Sequence, residues 1–416
     1  MPLNPDFFIN IDLPNVEIYD FKRQENGDYL IFVNSTLCGT NCRKCGQHTT
    51  QYRKTDRERT LRDLPIFCCK VFIKIFPILY KCSRCNTTTA QKVPWYKERS
   101  PNTLRFEEHI LLQLINSTVQ DVAKKEKVTY DTIVGIMKRH INGDVDWDHF
   151  DEIPVLGMDE IATLKGHSEY FVIITARIEY KNHILKVLPN RKKKTVKNFL
   201  NKIPARLVKT IESVCTDMYD GYVNAVKEVL VDKNDKIKIV IDRFHVAKNY
   251  RKSVEDLRKS EINRIKNEIS KEEYKRLKNV HWTLRKNPAN LSESEKEQLS
   301  YLFSLSPLLK EAYGFSNDLT KIFEKKISVF IIEEEIKEWI DQVNRSSLNC
   351  FDKFIGTLNK YFDFITNYFV DRANSGFVEG LNNKLKVIKR TCYGIRNTNN
   401  FFRRIFLALS GYRLYA

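Results

Sequence analysis

The sequence has little glycine and little proline for its length, and too few acidic residues to balance its basic ones. With 14 Gly and 12 Pro in 416 residues, a collagen-like repeat or a linker-rich chain is excluded. Because 42% of the residues are hydrophobic, disorder is excluded as the main state of the chain. At about 100–200 residues per domain, we expect two to four folded domains.

Long hydrophobic runs are also absent. No uncharged apolar run approaches the roughly 18 residues that a membrane-spanning helix requires, and the best candidate, from Val71 to Tyr80, contains Lys74 and Pro77. The N-terminal residues, which include Asp6 and Asp12, lack the basic and apolar regions of a signal peptide. The sequence therefore predicts a soluble, cytoplasmic protein that does not associate with membranes.

Positive charge is what the chain has in excess. Its 70 Lys and Arg against 52 Asp and Glu give a formal net charge of +18, which favours a polyanionic partner such as nucleic acid. A basic protein kept soluble by its lysines would have the same charge. Charge alone therefore does not identify the partner or the activity.

Four of the ten cysteines form two Cys-x-x-Cys pairs, Cys42/Cys45 and Cys82/Cys85. Two such knuckles deliver four thiolates to one tetrahedral Zn²⁺. The segment from Lys70 to Tyr80, between the pairs, alternates apolar and polar residues as a strand does. These features predict a zinc ribbon in the first hundred residues.

Other residues near the two pairs leave alternatives open. Cys38 precedes Cys42 by a short spacing and is an alternative zinc ligand, and a set of unpaired buried cysteines would give the same composition. Arg53 and Arg57 belong to a basic group suited to contacts with DNA phosphates. A solvated basic surface would look the same in the sequence.

Residues 104–141 have a helical periodicity that is interrupted twice. A first helix is followed by a short one that begins at Thr118, then by a polar turn and a third helix after Thr129. This pattern fits a helix-turn-helix, whose second helix enters the major groove of DNA. Any three-helix bundle would give it as well. The outward-facing residues are Tyr130, Asp131, Lys138 and Arg139, and of these we expect Tyr130, Lys138 and Arg139 to contact DNA.

From Pro154 the pattern changes to that of an α/β domain. Three antiparallel strands, a helix, a strand, a helix and a strand are predicted, which is the order of an RNase H-like fold. Three of the strands end at an acid, and these acids are Asp159, Asp217 and Asp242.

A long, charged, helical stretch at residues 244–366 interrupts this domain, and the segment from Ala373 to Arg390 then reads as one helix that carries Glu379. Each acid alone has a simpler explanation, such as capping a helix. Carboxylates from neighbouring strand ends and an adjoining helix would converge, however, and would repel one another unless cations neutralised them. Two Mg²⁺ ions, or Mn²⁺ in their place, are the usual solution in enzymes of phosphoryl transfer.

A series of short motifs then carries a family resemblance. In order along the chain they are Cys42-Arg-Lys-Cys45, Arg62-Asp-Leu-Pro65, Cys82-Ser-Arg-Cys85, Gly157-Met-Asp-Glu160, Lys165-Gly-His167, Thr216-Asp-Met-Tyr-Asp-Gly-Tyr222, Ile241-Asp-Arg-Phe-His-Val246, Val378-Glu-Gly-Leu-Asn-Asn383 and Lys389-Arg-Thr-Cys-Tyr-Gly394. Together they resemble a bacterial insertion-sequence transposase of the ISL-three type, a DDE transposase with an N-terminal zinc ribbon. The resemblance covers nearly the whole chain.

The resemblance implies a catalytic and magnesium-binding triad of Asp159, Asp217 and Glu379. Groups that we expect beside the triad, to position it or the DNA, are Asp242, His245, Asn382 and Lys386. Two further basic residues expected to contact DNA are Lys389 and Arg390.

The expected protein is a multidomain α+β transposase. It would bind the terminal inverted repeats of its element, cleave a phosphodiester at each end, and join the new 3′-hydroxyls to target DNA, with a homodimer holding both ends near the nucleoid. A structure-specific nuclease of the same fold and a non-catalytic DNA-binding regulator are the alternatives. The predicted domains are a zinc ribbon at 1–100, a helix-turn-helix at 101–150, a first part of the catalytic core at 151–243, an α-helical insertion at 244–366 and a second part of the core at 367–416.

Overall fold

The computed structural model describes residues 11–162, 170–179, 181–371, 376–393 and 395–416. The chain divides into two compact units, of which the first comprises residues 1–142 and 403–416 and the second residues 143–402. In the part of the chain that is described, no helix is both long and apolar enough to cross a membrane.

The N-terminal part of the first unit is built from short strands. They are β1 (Val16–Arg23), β2 (Tyr29–Ser35), β3 (Thr40–Asn41), β4 (His48–Thr49), β5 (Tyr52–Thr55), β6 (Arg59–Ile66), β7 (Cys69–Ile75), β8 (Ile78–Lys81) and β9 (Thr88–Ala90). A four-stranded sheet has the order β1-β2-β7-β6, a three-stranded sheet has the order β5-β8-β9, and β3 pairs with β4. Ile31, Val33, Leu61 and Ile73 are fully buried in the core of the four-stranded sheet.

The strands predicted between the cysteine pairs are present, and the structure divides the segment from Lys70 to Tyr80 between two sheets. β7 pairs with β2 and β6, whereas β8 pairs with β5 and β9 next to the second cysteine pair. The division falls at Pro77, which has no N–H to donate to a ladder. Only β8 therefore belongs to the small sheets around the cysteines.

Three helices follow, α1 (Leu104–Leu114), α2 (Val119–Glu126) and α3 (Tyr130–His140), as the sequence predicted. The threonine before each helix, at 103, 118 and 129, accepts a hydrogen bond from a backbone N–H of the first turn. The turn between α2 and α3 needs no glycine because Lys127 adopts the left-handed conformation, with φ of 52°. Leu407 of the C-terminal helix completes the core of this bundle.

A buried acid joins α1 to α3. Glu107 is fully buried, and its carboxylate accepts hydrogen bonds from Ser100 Oγ at 2.7 Å and Arg139 Nε at 3.0 Å, while His140 Nε2 lies 2.8 Å away. Burial alone would raise the pKa of Glu107. The bonds from His140, Arg139 and Ser100 outweigh burial and hold the pKa at about 2.

Replacing Glu107 by Gln is expected to lower the free energy of unfolding by about 3 kcal/mol near pH 7, because the half-buried guanidinium of Arg139 loses its charged partner. The pKa of Glu107 is depressed on folding, so its contribution is complete above 4.5 and is lost as the pH falls towards about 2. Urea unfolding of both proteins should therefore show a difference that shrinks on acidification to about pH 3.

The neighbouring Glu108 offers a matched control, since it is exposed on the same helix. Glu108→Gln should change the free energy of unfolding by less than about 0.5 kcal/mol at either pH. An equal effect of both substitutions would contradict the assignment of Glu107 as the acid that holds the bundle together.

The second unit contains a five-stranded mixed sheet. Its strands are β10 (Val155–Ala162), β11 (Tyr170–Ile178), β12 (Lys181–Leu188), β13 (Ser213–Thr216) and β14 (Lys238–Ile241), in the order β12-β11-β10-β13-β14. The first three are antiparallel to one another, and β10, β13 and β14 are mutually parallel. Between β12 and β14 lie the helices α4 (Lys193–Leu200), α5 (Ala205–Val208) and α6 (Asp220–Val226). This confirms the predicted succession of strands and helices, to which the structure adds α5.

Residues 243–371 form a helical segment packed on this sheet. Its helices are α7 (Arg243–Glu268), α8 (Lys271–Lys275), α9 (Val280–Thr283), α10 (Glu293–Leu305), α11 (Pro307–Glu324), α12 (Val329–Arg345), α13 (Asp352–Lys360), α14 (Phe362–Thr366) and α15 (Tyr368–Asp371). Tyr361 donates a 2.7 Å hydrogen bond to Asp220 at the start of α6, and Asn367 donates one of 2.9 Å to the carbonyl of Ile239 in β14. The chain ends with α16 (Gly376–Thr391) and α17 (Thr398–Tyr415).

Candidate functional site

The register of the parallel strands brings three acids to one level of the sheet. Gly157 in β10 pairs with Cys215 in β13, so Asp159 and Asp217 each lie two residues beyond a paired position. Asp242 directly follows β14, as Asp217 directly follows β13. The prediction that the first strand ends at Asp159 is wrong, because β10 continues to Ala162 in its pairing with β11. The parallel register with β13 nevertheless brings Asp159 close to Asp217.

The backbone at Asp159 depends on a small residue two positions earlier. A Cβ at Gly157 would lie 2.5 Å from the hydroxyl of Thr175 on the adjacent strand β11. Glycine therefore permits the close pairing that sets the position of β10, and with it the position of the Asp159 carboxylate.

Asp159, Asp217 and His245 form one cluster. Each offers a ligand atom, and these atoms all lie within 4.8 Å of one another. His245 is in the first turn of α7, where its Nδ1 is 2.6 Å from Asp217 Oδ1 and its Nε2 is 4.0 Å from Asp242 Oδ2.

The electrostatics of the cluster favour a cation beside the acids. Burial lowers the pKa of His245, but the contact with Asp217 and the charges of Asp159 and Asp242 outweigh burial, so the net pKa is raised. Asp242 has a structural partner of its own, because its Oδ1 accepts a 3.0 Å hydrogen bond from the N–H of Phe244 and caps α7. The helix-capping explanation thus holds for Asp242. Asp159 and Asp217 are the two acids that come together as candidate metal ligands.

The remaining residues of the predicted site lie on α16. Glu379 and Asn382 are within this helix, but their side chains lie outside what the structure describes. Lys386 and Arg390 are exposed, and Lys389 is half-buried and donates to the backbone carbonyl of Ala162 at the end of β10. α16 therefore contacts the strand that carries Asp159.

The donor set of the cluster suits a hard divalent cation. Two carboxylates offer oxygen ligands from adjacent strands, and Mg²⁺ and Mn²⁺ prefer such ligands. The two carboxylates lie within reach of one ion, with His245 in contact with one of them. The residues present fit a divalent metal.

A second network beside the acids was missed by the sequence analysis. Glu160 accepts a 2.7 Å hydrogen bond from Tyr222, and its carboxylate lies 3.4 Å from the guanidinium of Arg191. That guanidinium lies over the rings of Tyr170 and Tyr219, 4.8 and 4.9 Å from their centres. Burial and the bond to Glu160 raise the pKa of Tyr222. The sequence did contain a signal for this network, because Glu160 and Tyr222 belong to the motifs that also contain Asp159 and Asp217.

The four cysteines of the predicted zinc ribbon form a second cluster, with all four sulfurs within 4.8 Å of one another. The Sγ atoms of Cys42 and Cys85 are 3.4 Å apart, those of Cys45 and Cys82 3.6 Å, and those of Cys45 and Cys85 3.7 Å. Four thiolates at about 2.3 Å from one tetrahedral Zn²⁺ would be about 3.8 Å apart. The cluster thus fits zinc.

The two cysteine pairs have the same backbone geometry. In each pair the N–H of the first cysteine donates to the carbonyl five residues later, and its own carbonyl accepts from the N–H four residues later. The residue after each second cysteine, Gly46 or Asn86, has positive φ. Backbone N–H groups of Cys45 and Lys44 point at Cys42 and lower the pKa of its thiol to about 6. The N–H of Gln47 lowers the pKa of Cys45, but burial and hydrogen bonds with the other three cysteines outweigh it and raise that pKa to about 11. Cys38 and the Cys68–Cys69 pair are not part of this cluster.

The residues predicted to contact DNA occupy different environments. Five of them are exposed, namely Arg53, Arg57, Tyr130, Lys138 and Arg390. The expectation that Arg139 faces outward is wrong, because its guanidinium donates to the buried carboxylate of Glu107. Glu107 lies on α1, so the periodicity within α3 alone could not reveal this contact.

A large cavity lies in the helical segment. It measures about 700 Å³ and is lined by α7, α11 and the loop that follows α9. Phe244, the sequence neighbour of His245, is one of its lining residues. Its basic lining residues outnumber the two acids, Glu255 and Glu324, and are Lys248, Arg251, Lys252, Arg258, Arg285, Lys286 and Lys321.

Comparison with known proteins identifies the class. Residues 156–405, more than half of the chain, match the profile of a DDE family described as transposase. Residues 91–141 match the helix-turn-helix domain of transposase family ISL3. The chain belongs to the ISL3 family of transposases, which is the family that the motifs resemble. It is therefore a DNA-binding enzyme that cleaves and transfers DNA.

Its relatives extend over almost the whole chain. It is 26% identical over 397 residues to the transposase for insertion sequence element IS1001 of Bordetella parapertussis, which covers 95% of each chain. It is 21% identical over 393 residues to the transposase for insertion sequence element IS1557 of Mycobacterium tuberculosis, covering 89% of this chain and 86% of the relative.

Proposed function

We propose that this transposase binds the terminal inverted repeats of its own insertion sequence and uses Asp159, Asp217 and Glu379 to cleave and transfer DNA strands. The observation that carries the proposal is the convergence of Asp159, in β10, with Asp217, directly after the adjacent parallel strand β13, in a segment that matches a DDE transposase. The strand order, three antiparallel strands followed by two parallel ones, supports an RNase H-like catalytic core. The helical segment at 243–371 is then an insertion into that core.

Each residue of the site has a separate task in this proposal. Asp159 and Asp217 would hold the divalent ions, with Glu379 of α16 as the third carboxylate. Bound Mg²⁺ or Mn²⁺ would supply an activated water and neutralise charge on the phosphoryl oxygens. His245 orients Asp217 through their 2.6 Å contact, and Asp242 holds His245 in place by capping α7. Lys386, Lys389 and Arg390, with Asn382, would position the DNA strand along α16.

The reaction has two parts. Water cleaves a phosphodiester at each end of the element, which releases a 3′-hydroxyl. That hydroxyl then attacks a phosphodiester of target DNA, so that one bond forms as another breaks. Since two ends must be joined together, we propose that a homodimer holds them. The substrate is the element's own DNA, which would place the protein at the bacterial nucleoid.

The first unit would select the DNA ends. A zinc ribbon formed by the four cysteines, and the helix-turn-helix with Tyr130 and Lys138 exposed, would contact the terminal repeat, with Arg53 and Arg57 on its phosphates. The basic cavity lined by α7 and α11 would bind a DNA strand, because seven of its lining residues are basic and two are acidic.

The test is an assay on a labelled duplex that carries the end of the element, with Mg²⁺ and with EDTA. Metal-dependent nicking at the repeat boundary, followed by joining to a second DNA, is the expected result. Cleavage without joining would favour a structure-specific nuclease. Binding with no cleavage on paired ends would favour a DNA-binding regulator.

A further inference from the structure

A small cavity in the first unit has the features of an anion site. It measures about 300 Å³, at the small end of the range for ligand pockets. One side is formed by the strands β6 and β7, and the other by the turn between α2 and α3. Its basic lining residues are Arg62, Lys70 and Lys127.

Arg62 is a buried cation with unused hydrogen-bond donors. Only 9% of it is exposed, and its guanidinium lies 5.3 Å from the ring centres of Phe72 and Phe106. Within the described part of the chain, its Nε and Nη1 have no hydrogen-bond partner. A buried charged donor without a partner is costly, so a ligand that accepts from it would bind favourably.

The acids near Arg62 do not provide that acceptor. The carboxylate of Asp63, its neighbour in the sequence, accepts hydrogen bonds from Thr103 Oγ1 at 2.7 Å and Arg105 Nε at 2.8 Å. Glu126 lies 2.9 Å from His109. Asp28, whose charge also acts on Arg62, accepts hydrogen bonds from the N–H of Lys70 at 3.3 Å and from Asn26 at 3.2 Å.

The N-terminal turn of α3 also lines the cavity. Thr129 and Thr132 line it, and the hydroxyl of Thr129 accepts the N–H of Thr132 at 3.1 Å. The first N–H groups of a helix have no partner within the helix, and the helix dipole adds positive potential there. A planar cation, two lysines and a helix N-terminus together suit a tetrahedral oxyanion. The exposed Asp131 of the same turn does not line the cavity.

We propose that this cavity, formed by Arg62, Lys70, Lys127 and the first turn of α3, binds one backbone phosphate of the DNA that the transposase recognises. The inference rests on DNA recognition by the helix-turn-helix, in which α3 is the second helix and enters the major groove. A phosphate fixed at the start of α3 would set the register of that helix on the duplex. The four-stranded sheet thereby takes part in recognition through Arg62.

The test measures the affinity of the full-length protein for a duplex carrying the element's end, at salt concentrations from about 50 to about 200 mM. Arg62→Gln and Lys127→Asn should each weaken binding about tenfold and reduce the salt slope by about one, the value for one lost phosphate contact. Lys127→Asn leaves the Arg62 stack intact, and Asn suits the left-handed backbone at that position. Lys22→Gln, which removes a lysine paired with Asp20 on β1, should leave the slope unchanged.

A second arm uses inorganic phosphate as the probe. Phosphate should raise the thermal stability of the wild-type protein more than chloride at equal ionic strength, and Arg62→Gln should lose that gain. Unchanged salt slopes in both variants would overturn the proposal while leaving DNA recognition in place. Stabilisation by phosphate with unchanged slopes would make the cavity a free-anion site and overturn it too. Failure of the wild-type protein to bind the duplex would instead contradict the proposed function.

Discussion

Asp217→Asn is expected to abolish cleavage and strand transfer while leaving the binding of terminal-repeat DNA intact. The carboxylate lies within 4.8 Å of ligand atoms of Asp159 and His245, and the amide that replaces it carries no charge for a divalent ion. Metal-bound charge stabilisation is worth several kcal/mol, and about 4 kcal/mol corresponds to about a thousandfold in rate. Nicking of a labelled end in Mg²⁺ gives the rate, and a gel-shift titration gives the affinity.

Asp220→Asn provides the matched control, because Asp220 lies in the same motif but contacts Lys360 and Tyr361 instead of the acid cluster. Its half-exposed ion pair is worth at most about 1 kcal/mol, so cleavage should remain within a few-fold of the wild-type rate. Cleavage retained by Asp217→Asn, or lost equally in both variants, would remove Asp217 from the proposed triad.

Cys82→Ser is expected to remove the zinc from the first unit. Cys82 is fully buried, and its Sγ is 3.6 Å from that of Cys45. Structural zinc sites with four protein ligands contribute about 10–16 kcal/mol of apparent binding energy, so a lost thiolate should leave the knuckles unfolded. Mass spectrometry of the metal content should give one zinc per wild-type chain and almost none in the variant, together with weaker binding to the DNA end.

Cys38→Ser tests the alternative ligand in the same measurement. Cys38 is exposed and does not belong to the four-cysteine cluster, so this variant should keep its zinc and its affinity for DNA. If Cys38→Ser lost its zinc and Cys82→Ser kept it, Cys38 would replace Cys82 in the proposed set of zinc ligands.

The elements with strong local signals were predictable from the sequence. The three helices between 104 and 140 begin at threonines that cap them, and capping depends on residues adjacent in the chain. The strands that end just before Asp217 and Asp242 were predictable because short apolar runs ending at a polar residue are a local pattern. The strand at Asp159 was also predicted, but its end was not, because β10 continues to Ala162. From Lys70 to Tyr80 the alternation predicted strands but not the two sheets to which they belong, since sheet membership depends on partner strands far away in the sequence.

The sequence alone determined the family and which residues are candidates for the site, because motifs record residue types in order. Tertiary structure decided which of those residues meet. The register of β10 and β13 places Asp159 close to Asp217. Asp242 caps the start of α7, and Arg139 donates a hydrogen bond to the buried Glu107. Tertiary structure also left Arg62 buried beside the start of α3 with donors unused. Contacts of this kind join residues distant in the chain, and only packing of the folded elements establishes them.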